Sequence, residues 1–187
     1  MMTILRLERV ELSCFLDKLS GFISFDKDLP MNVFVGRDFS YWFFERPLLC
    51  FSDIFAGLIS ESVSSFNSYV FVKFSGGEPL TESCFVFDGS DVDRDVSWLS
   101  KKSENFFNGV VGYPIVLCND ACDWVAFESA YEEFGVIAIR STGLKTGFYE
   151  YLSLNFISMD ELSELAAGSS VEGVVAGRLI SSYGTSA

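Results

Sequence analysis

The sequence predicts an α+β fold: a single globular domain over 1–180 with a largely antiparallel or mixed central sheet and several flanking helices, followed by a frayed tail over 181–187. Three observations lead there. Short runs of β-branched and aromatic residues end in turn residues, and two of them, 69–74 and 84–87, lie close enough in sequence to pair antiparallel. Apolar stripes at helical spacing fall between such runs, at 52–62 and 91–107. Apolar residues make up 49% of the 187, enough for one substantial core.

Along 3–15, charges at Arg6, Glu8 and Arg9 interrupt the apolar positions, and the partial alternation predicts a strand with one wet face. Residues 31–46 are aromatic and β-branched but broken by Gly36-Arg37-Asp38, which predicts a hairpin or a bent pair of strands. Ser52 or Asp53 can cap a helix whose Ile54, Phe55, Leu58, Ile59 and Ser62 share one stripe. The strand at 69–74 closes at Gly76-Gly77, and its partner at 84–87 closes at Asp88-Gly89, with Pro79 in the loop between.

In 91–107, Val92, Val96, Leu99, Ser103 and Phe106 step along one helical face, and Asp91, Asp93 and Asp95 suit the positive end of a helix dipole. Asn108-Gly109 supplies a stop. A short strand follows at 113–117. Residues 123–140 fit a helix with Trp124, Phe127, Tyr131 and Phe134 on one face, or a hairpin in which 124–128 pairs with 134–139 around 129–133. Gly135 favours the hairpin, because glycine inside a helix costs ~1 kcal/mol. Residues 148–156 read as another strand, and Ser158 with Glu161 as a capping box opening a helix through Leu162 and Leu165 to Gly168. Residues 171–180 suit helix or strand.

The formal charge is −13, from 26 acids and 13 bases. Nucleic-acid binding needs a basic footprint, so a nucleic-acid partner is not expected, and a basic protein is the partner that such a surface attracts. After Lys102 the only bases are Arg140, Lys145 and Arg178, so the second half carries most of the surplus. If its acids share a face, that face is a candidate docking surface. The first residues place charges where a secretory signal needs an apolar stretch, and no uncharged run nears the ~20 residues of a membrane helix. The expectation is a cytoplasmic chain with no membrane partner. Its five cysteines then read as reduced thiols, mostly buried.

There is no histidine, which removes Ser-His-Asp and Cys-His activation and the commonest general base near neutral pH. An EF-hand loop from Asp91 needs Gly at 96 and Glu at 102, where Val96 and Lys102 stand. Cys118 and Cys122 are spaced by three residues and lack the further soft ligands a zinc site needs. Gly143 to Gly147 lacks the upstream glycine of a phosphate loop and reads as a turn. Glu132 and Glu133 are adjacent, and adjacent residues on a strand point apart. These readings predict no catalytic residues, no cofactor, no metal and no enzymatic activity.

The segment 123–139 resembles a stretch of bacterial toxin-immunity proteins, found in contact-dependent inhibition and polymorphic toxin systems. Trp124 and Phe127 stand for its aromatic strand, Glu132-Glu133 for its acidic turn, and Val136 to Ile139 for its apolar second strand. It departs at Glu128-Ser129, where a Gly or Asp would tighten the turn. The resemblance implies a cytoplasmic immunity protein that binds a cognate toxin, a basic nuclease domain being the expected partner, and covers its active surface; a general acidic adaptor, and after it a carboxylate-dependent enzyme, are the alternative readings of the residues. Partner-binding residues are then expected at Asp120, Asp123, Glu128, Tyr131, Glu132 and Glu133, with Tyr131 as an aromatic anchor within an acidic rim.

Overall fold

The computed structural model describes residues 4–106 and 112–184. In chain order they form β1 (Leu5–Arg6), α1 (Arg9–Ser20), β2 (Phe39–Glu45), α2 (Ser52–Phe66), β3 (Val70–Lys73), β4 (Cys84–Phe87) and α3 (Val92–Ser103). Then come β5 (Ile115–Asn119), β6 (Trp124–Glu128), β7 (Phe134–Arg140), α4 (Thr146–Asn155), α5 (Met159–Ala166) and α6 (Val171–Tyr183). The strands make one sheet in the order β1-β4-β3-β5-β6-β7-β2, with every neighbouring pair antiparallel.

Helices cover both faces. On one, Phe55 and Ile59 of α2, Leu99 of α3 and Phe148 and Leu152 of α4 pack against Val72, Phe85, Trp124 and Ile137. On the other, Leu12 and Phe15 of α1, Leu162 of α5 and Leu179 of α6 pack against Phe71, Val116, Phe127 and Val136. The inner strands are thus buried on both sides, which explains why they read as continuous apolar runs rather than alternating ones. The Trp124 indole N–H donates to Ser62 Oγ at 2.8 Å, so its one polar atom is satisfied inside the core.

The hairpin at 123–140 forms with Trp124 opposite Ile139 and Glu128 opposite Gly135. The pairing of 69–74 with 84–87 and the Ser158 capping box also stand as the sequence predicts, and helices form at Ser52–Phe66 and Val92–Ser103, but Phe51 holds the cap position of the first, so neither Ser52 nor Asp53 caps it. Of the 171–180 alternatives, the helix forms.

Four further expectations are corrected. The predicted strand over 3–15 is two residues of β1 followed by α1, because Glu8 and Glu11 form a reciprocal cap and Leu12, Phe15 and Leu19 bury at helical spacing. In 31–46 only β2 is a strand, and Phe34 makes an isolated bridge to Ile23. The Asn32 carboxamide accepts from the Phe34 N–H at 2.9 Å, and Gly36 sits at φ 116°, so the backbone turns where a ladder would run. Of the strand expected over 148–156, residues 148–155 are helical and only Phe156 is extended, since Phe148 and Leu152 bury as an i,i+4 pair. The frayed tail does not begin at 181: α6 runs to Tyr183, which is 3% exposed. The Asn108-Gly109 stop lies outside the described residues, and α3 ends at Ser103.

Three cysteines, Cys84, Cys118 and Cys122, are buried, while Cys14 and Cys50 are exposed. No helix among the described residues is long and apolar enough to cross a membrane.

Candidate functional site

The sheet register puts Lys73, Ile115, Glu128, Phe134 and Glu45 at one end of the sheet and Val70, Asn119, Trp124, Arg140 and Phe39 at the other. The six predicted partner-binding residues divide between the two. Asp120 and Asp123 occupy the β5–β6 turn at the far end. There the Asn119 side chain clasps Asp123, accepting from its N–H and donating to Oδ2, both at 2.8 Å. Lys18 of α1 donates to the Asp120 carbonyl and stands 3.7 Å from its carboxylate. Tyr131, Glu132 and Glu133 occupy the β6–β7 turn at the near end. Nor do the acids of the second half share one face, since α4 lies on one side of the sheet and α5 and α6 on the other.

The near-end turn is held from a distance. Asp28 Oδ1 accepts from the Ser129 hydroxyl at 2.6 Å and from the Leu29 N–H at 2.7 Å, and Oδ2 accepts from the Ala130 N–H at 3.1 Å. Ser129 Oγ in turn accepts from the Tyr131 N–H at 3.1 Å and the Glu132 N–H at 2.9 Å. With its backbone donors satisfied this way, the turn presents the Tyr131 ring 83% exposed. Glu133 is exposed beside it, and Glu45, at the end of β2 opposite Phe134, adds a third acid to Glu132 and Glu133.

Glu128 is not on this surface. It is 1% exposed, and its Oε2 accepts from the Leu48 N–H at 2.9 Å, tying down the short 3-10 turn Leu48–Cys50. Its Oε1 is buried without a partner at hydrogen-bonding geometry. Burial raises its pKa, opposed by the Leu48 N–H, the nearby Tyr113 hydroxyl and Arg46. Burial, reinforced by Glu128, likewise pushes the Tyr113 phenol up. The Arg46 guanidinium lies 5.1 Å from the Tyr113 ring centroid, and the Arg46 N–H donates to the Glu133 carbonyl at 3.0 Å.

No protein-family model, curated protein or solved structure matches the chain.

Next to this braced turn, a cleft of ≈ 580 Å³ opens between the 47–50 segment, the end of α3, the residue after β3 and the start of β5, with Pro47, Cys50, Phe74, Glu104 and Tyr113 among its lining. Lys73 does not serve it. That side chain is fully buried, its ammonium donates to the carbonyls of Phe74 and of Glu78, the latter at 2.9 Å, and burial lowers its pKa to about 8.

The remaining motifs are consumed locally. Asp88 caps its own turn through the Ser90 N–H at 2.8 Å, and Arg94 pairs with Asp91 and Asp95. Residues 141–143 form a 3-10 turn, and of the turn expected over 143–147 Thr146 and Gly147 instead begin α4. Sequence reasoning missed Asp28, Glu45, Arg46 and Tyr113. Asp28 acts on a turn 101 residues away, and nothing in its own neighbourhood signals that. Glu45 could have been found only by knowing that β2 pairs with β7.

Proposed function

We propose that this protein is an immunity-type inhibitor that uses the near end of its sheet to bind and cover a basic protein toxin, a nuclease domain being the partner whose charge fits best. The observation that carries this reading is the Tyr131 ring, 83% exposed on a turn whose backbone is fixed by Asp28 and Ser129. Single exposed apolar side chains are ordinary on a protein surface, but this ring stands on a turn held in one conformation. That is favourable at an interface, where aromatic anchors on rigid turns lose little entropy on binding.

Glu132 and Glu133 follow Tyr131 in the turn and Glu45 stands opposite Phe134 on the neighbouring strand, on a chain of net charge −13. A nuclease grips a polyanion with a basic surface, and an acidic patch is complementary to that same surface. The inhibitor acts by occupation: it needs no catalytic group, only shape, charge and a long residence time. Glu128 contributes indirectly by fixing the 48–50 turn beside the surface.

Co-expression tests this directly. A toxin domain encoded by the reading frame beside this gene is expected to arrest growth alone and to be tolerated with this protein present. A neighbouring product that is harmless, or that kills equally well in its presence, overturns the reading.

A further inference from the structure

A smaller cleft opens at the outer edge of the sheet, where the end of β2 meets the start of α2 and the end of α4. Its floor is apolar, from the buried side chains of Phe43, Phe44, Leu48 and Phe156, and Phe51 lines it while 43% exposed. At ≈ 210 Å³ it falls below the ~300 Å³ from which sites for whole small molecules begin, and it suits one long side chain.

The rim of this cleft is electronegative. Glu45 is exposed and is the one charged residue that lines it among the described residues. Asn155, the last residue of α4, lines it too, so that helix directs its negative end there, with no base in its last turn. The N–H groups of Ile157 and Ser158, which would extend the helix, donate instead to the Phe43 carbonyl at 2.8 Å and the Glu161 carboxylate at 2.7 Å. The carbonyls of Ser153 and Leu154 are thereby left open to another donor.

Three positive features lie nearby, and each is already met. The Arg46 guanidinium lies over the Tyr113 ring and does not line this cleft. The N-terminal end of α2 carries Asp53 in its first turn, and that of α5 is closed by the Ser158 and Glu161 capping box. An apolar, aromatic cleft with an acid and open carbonyls at its rim is complementary to an aliphatic stem that ends in a cation.

We infer that this edge cleft receives a lysine or arginine side chain of the protein partner. It adds a second contact point to the inhibitor reading above, on which the assignment rests. Glu45 belongs to both places, and the Arg46 N–H bond to the Glu133 carbonyl ties the end of β2 to the Tyr131 turn, so one partner surface can engage both. A basic partner is then selected by one protruding side chain as well as by overall charge.

Nuclear magnetic resonance titration of the folded, isotope-labelled chain tests this without a partner. The probes are n-butylammonium and n-propylguanidinium, which are the lysine and arginine side chains alone, with pentanol and pentanoate as neutral and anionic counterparts of similar length. The amide signals of Phe51, Ile54 and Phe156 should shift saturably with both cations. The cations should bind about fivefold more tightly than pentanol or pentanoate, the scale of one partly exposed ion pair. Glu45→Gln should reduce that preference and Glu45→Lys should remove it, each with an otherwise native spectrum.

Pentanol bound as tightly as the cations, cation-induced shifts that bypass these three amides, or a preference that survives both substitutions overturns the inference. None of these outcomes touches the toxin-rescue result, so the two readings fail separately.

Discussion

Asp28 and Ser129 meet at 2.6 Å, carboxylate to hydroxyl, across 101 residues of sequence. This contact converts the β6–β7 connection from a solvated loop into a fixed platform. Asp28→Ala removes the acceptor for three donors at once. The expected cost is about 1–3 kcal/mol, the usual penalty for stranding buried donors. Amide exchange at Ala130, Tyr131 and Glu132 should accelerate well beyond that at Val136 and Ile137. Unchanged protection at those three amides would show that the turn holds itself.

Gly135 is required by its neighbour. A methyl group there would overlap the Phe44 ring directly across the β2–β7 pair. Gly135→Ala should destabilise the fold by about 3 kcal/mol or more in urea unfolding, through overpacking that a two-sided sheet cannot relieve. Phe44→Leu in the same chain should recover part of the loss, and strict additivity of the two changes would contradict the contact.

The chain is ordered through α6, and Tyr183 is the reason. Its hydroxyl accepts from the Val33 N–H at 3.1 Å and donates to the Met31 carbonyl at 2.9 Å. Tyr183→Phe keeps the ring contacts with Tyr41 and Phe43 but strands both backbone groups, so a loss of about 1–3 kcal/mol is expected. Removal of everything after Ile180 should cost more than the point substitution. A truncated chain as stable as the whole would restore the frayed tail that the sequence alone suggests.

Glu128 gives the acid side of the stability curve a testable sign. Burial raises its folded-state pKa above the ordinary 4.5. The folded chain therefore keeps this proton to higher pH than the unfolded chain. Its favourable contribution is complete below pH ~4.5 and is lost as pH rises through the raised folded value. Glu128→Gln can still accept from the Leu48 N–H without an ionisable group. The stability of the variant relative to the native chain should therefore improve between pH 4 and pH 7. Denaturant titrations at the two pH values check this, and a difference independent of pH would contradict it.

Much of this fold is legible in the sequence because periodicity and local caps dominate where they are strong. The hairpin at 123–140, the Ser158 capping box and the β3–β4 pair all follow from neighbouring residues. The errors arise where tertiary burial overrides a short pattern. Phe148 and Leu152 suit a strand or a helix in isolation, and the floor of α2 decides between them. Asp120 and Glu133 carry the same charge in sequence, but antiparallel pairing sends them to opposite ends of the sheet. Glu128 looks like part of an acidic rim until the strand register turns it under the 48–50 segment.

The location of the binding surface is the central claim, and equal changes of charge at two places test it. The comparison is between Glu132→Lys/Glu133→Lys with Tyr131→Ala and Asp120→Lys/Glu164→Lys, each measured by calorimetry against the partner that the co-expression test identifies. Total charge shifts equally in both. The near-end variant is expected to lose affinity by about 100-fold, while the control stays close to native. Native affinity in the near-end variant, with loss in the control, would contradict the account.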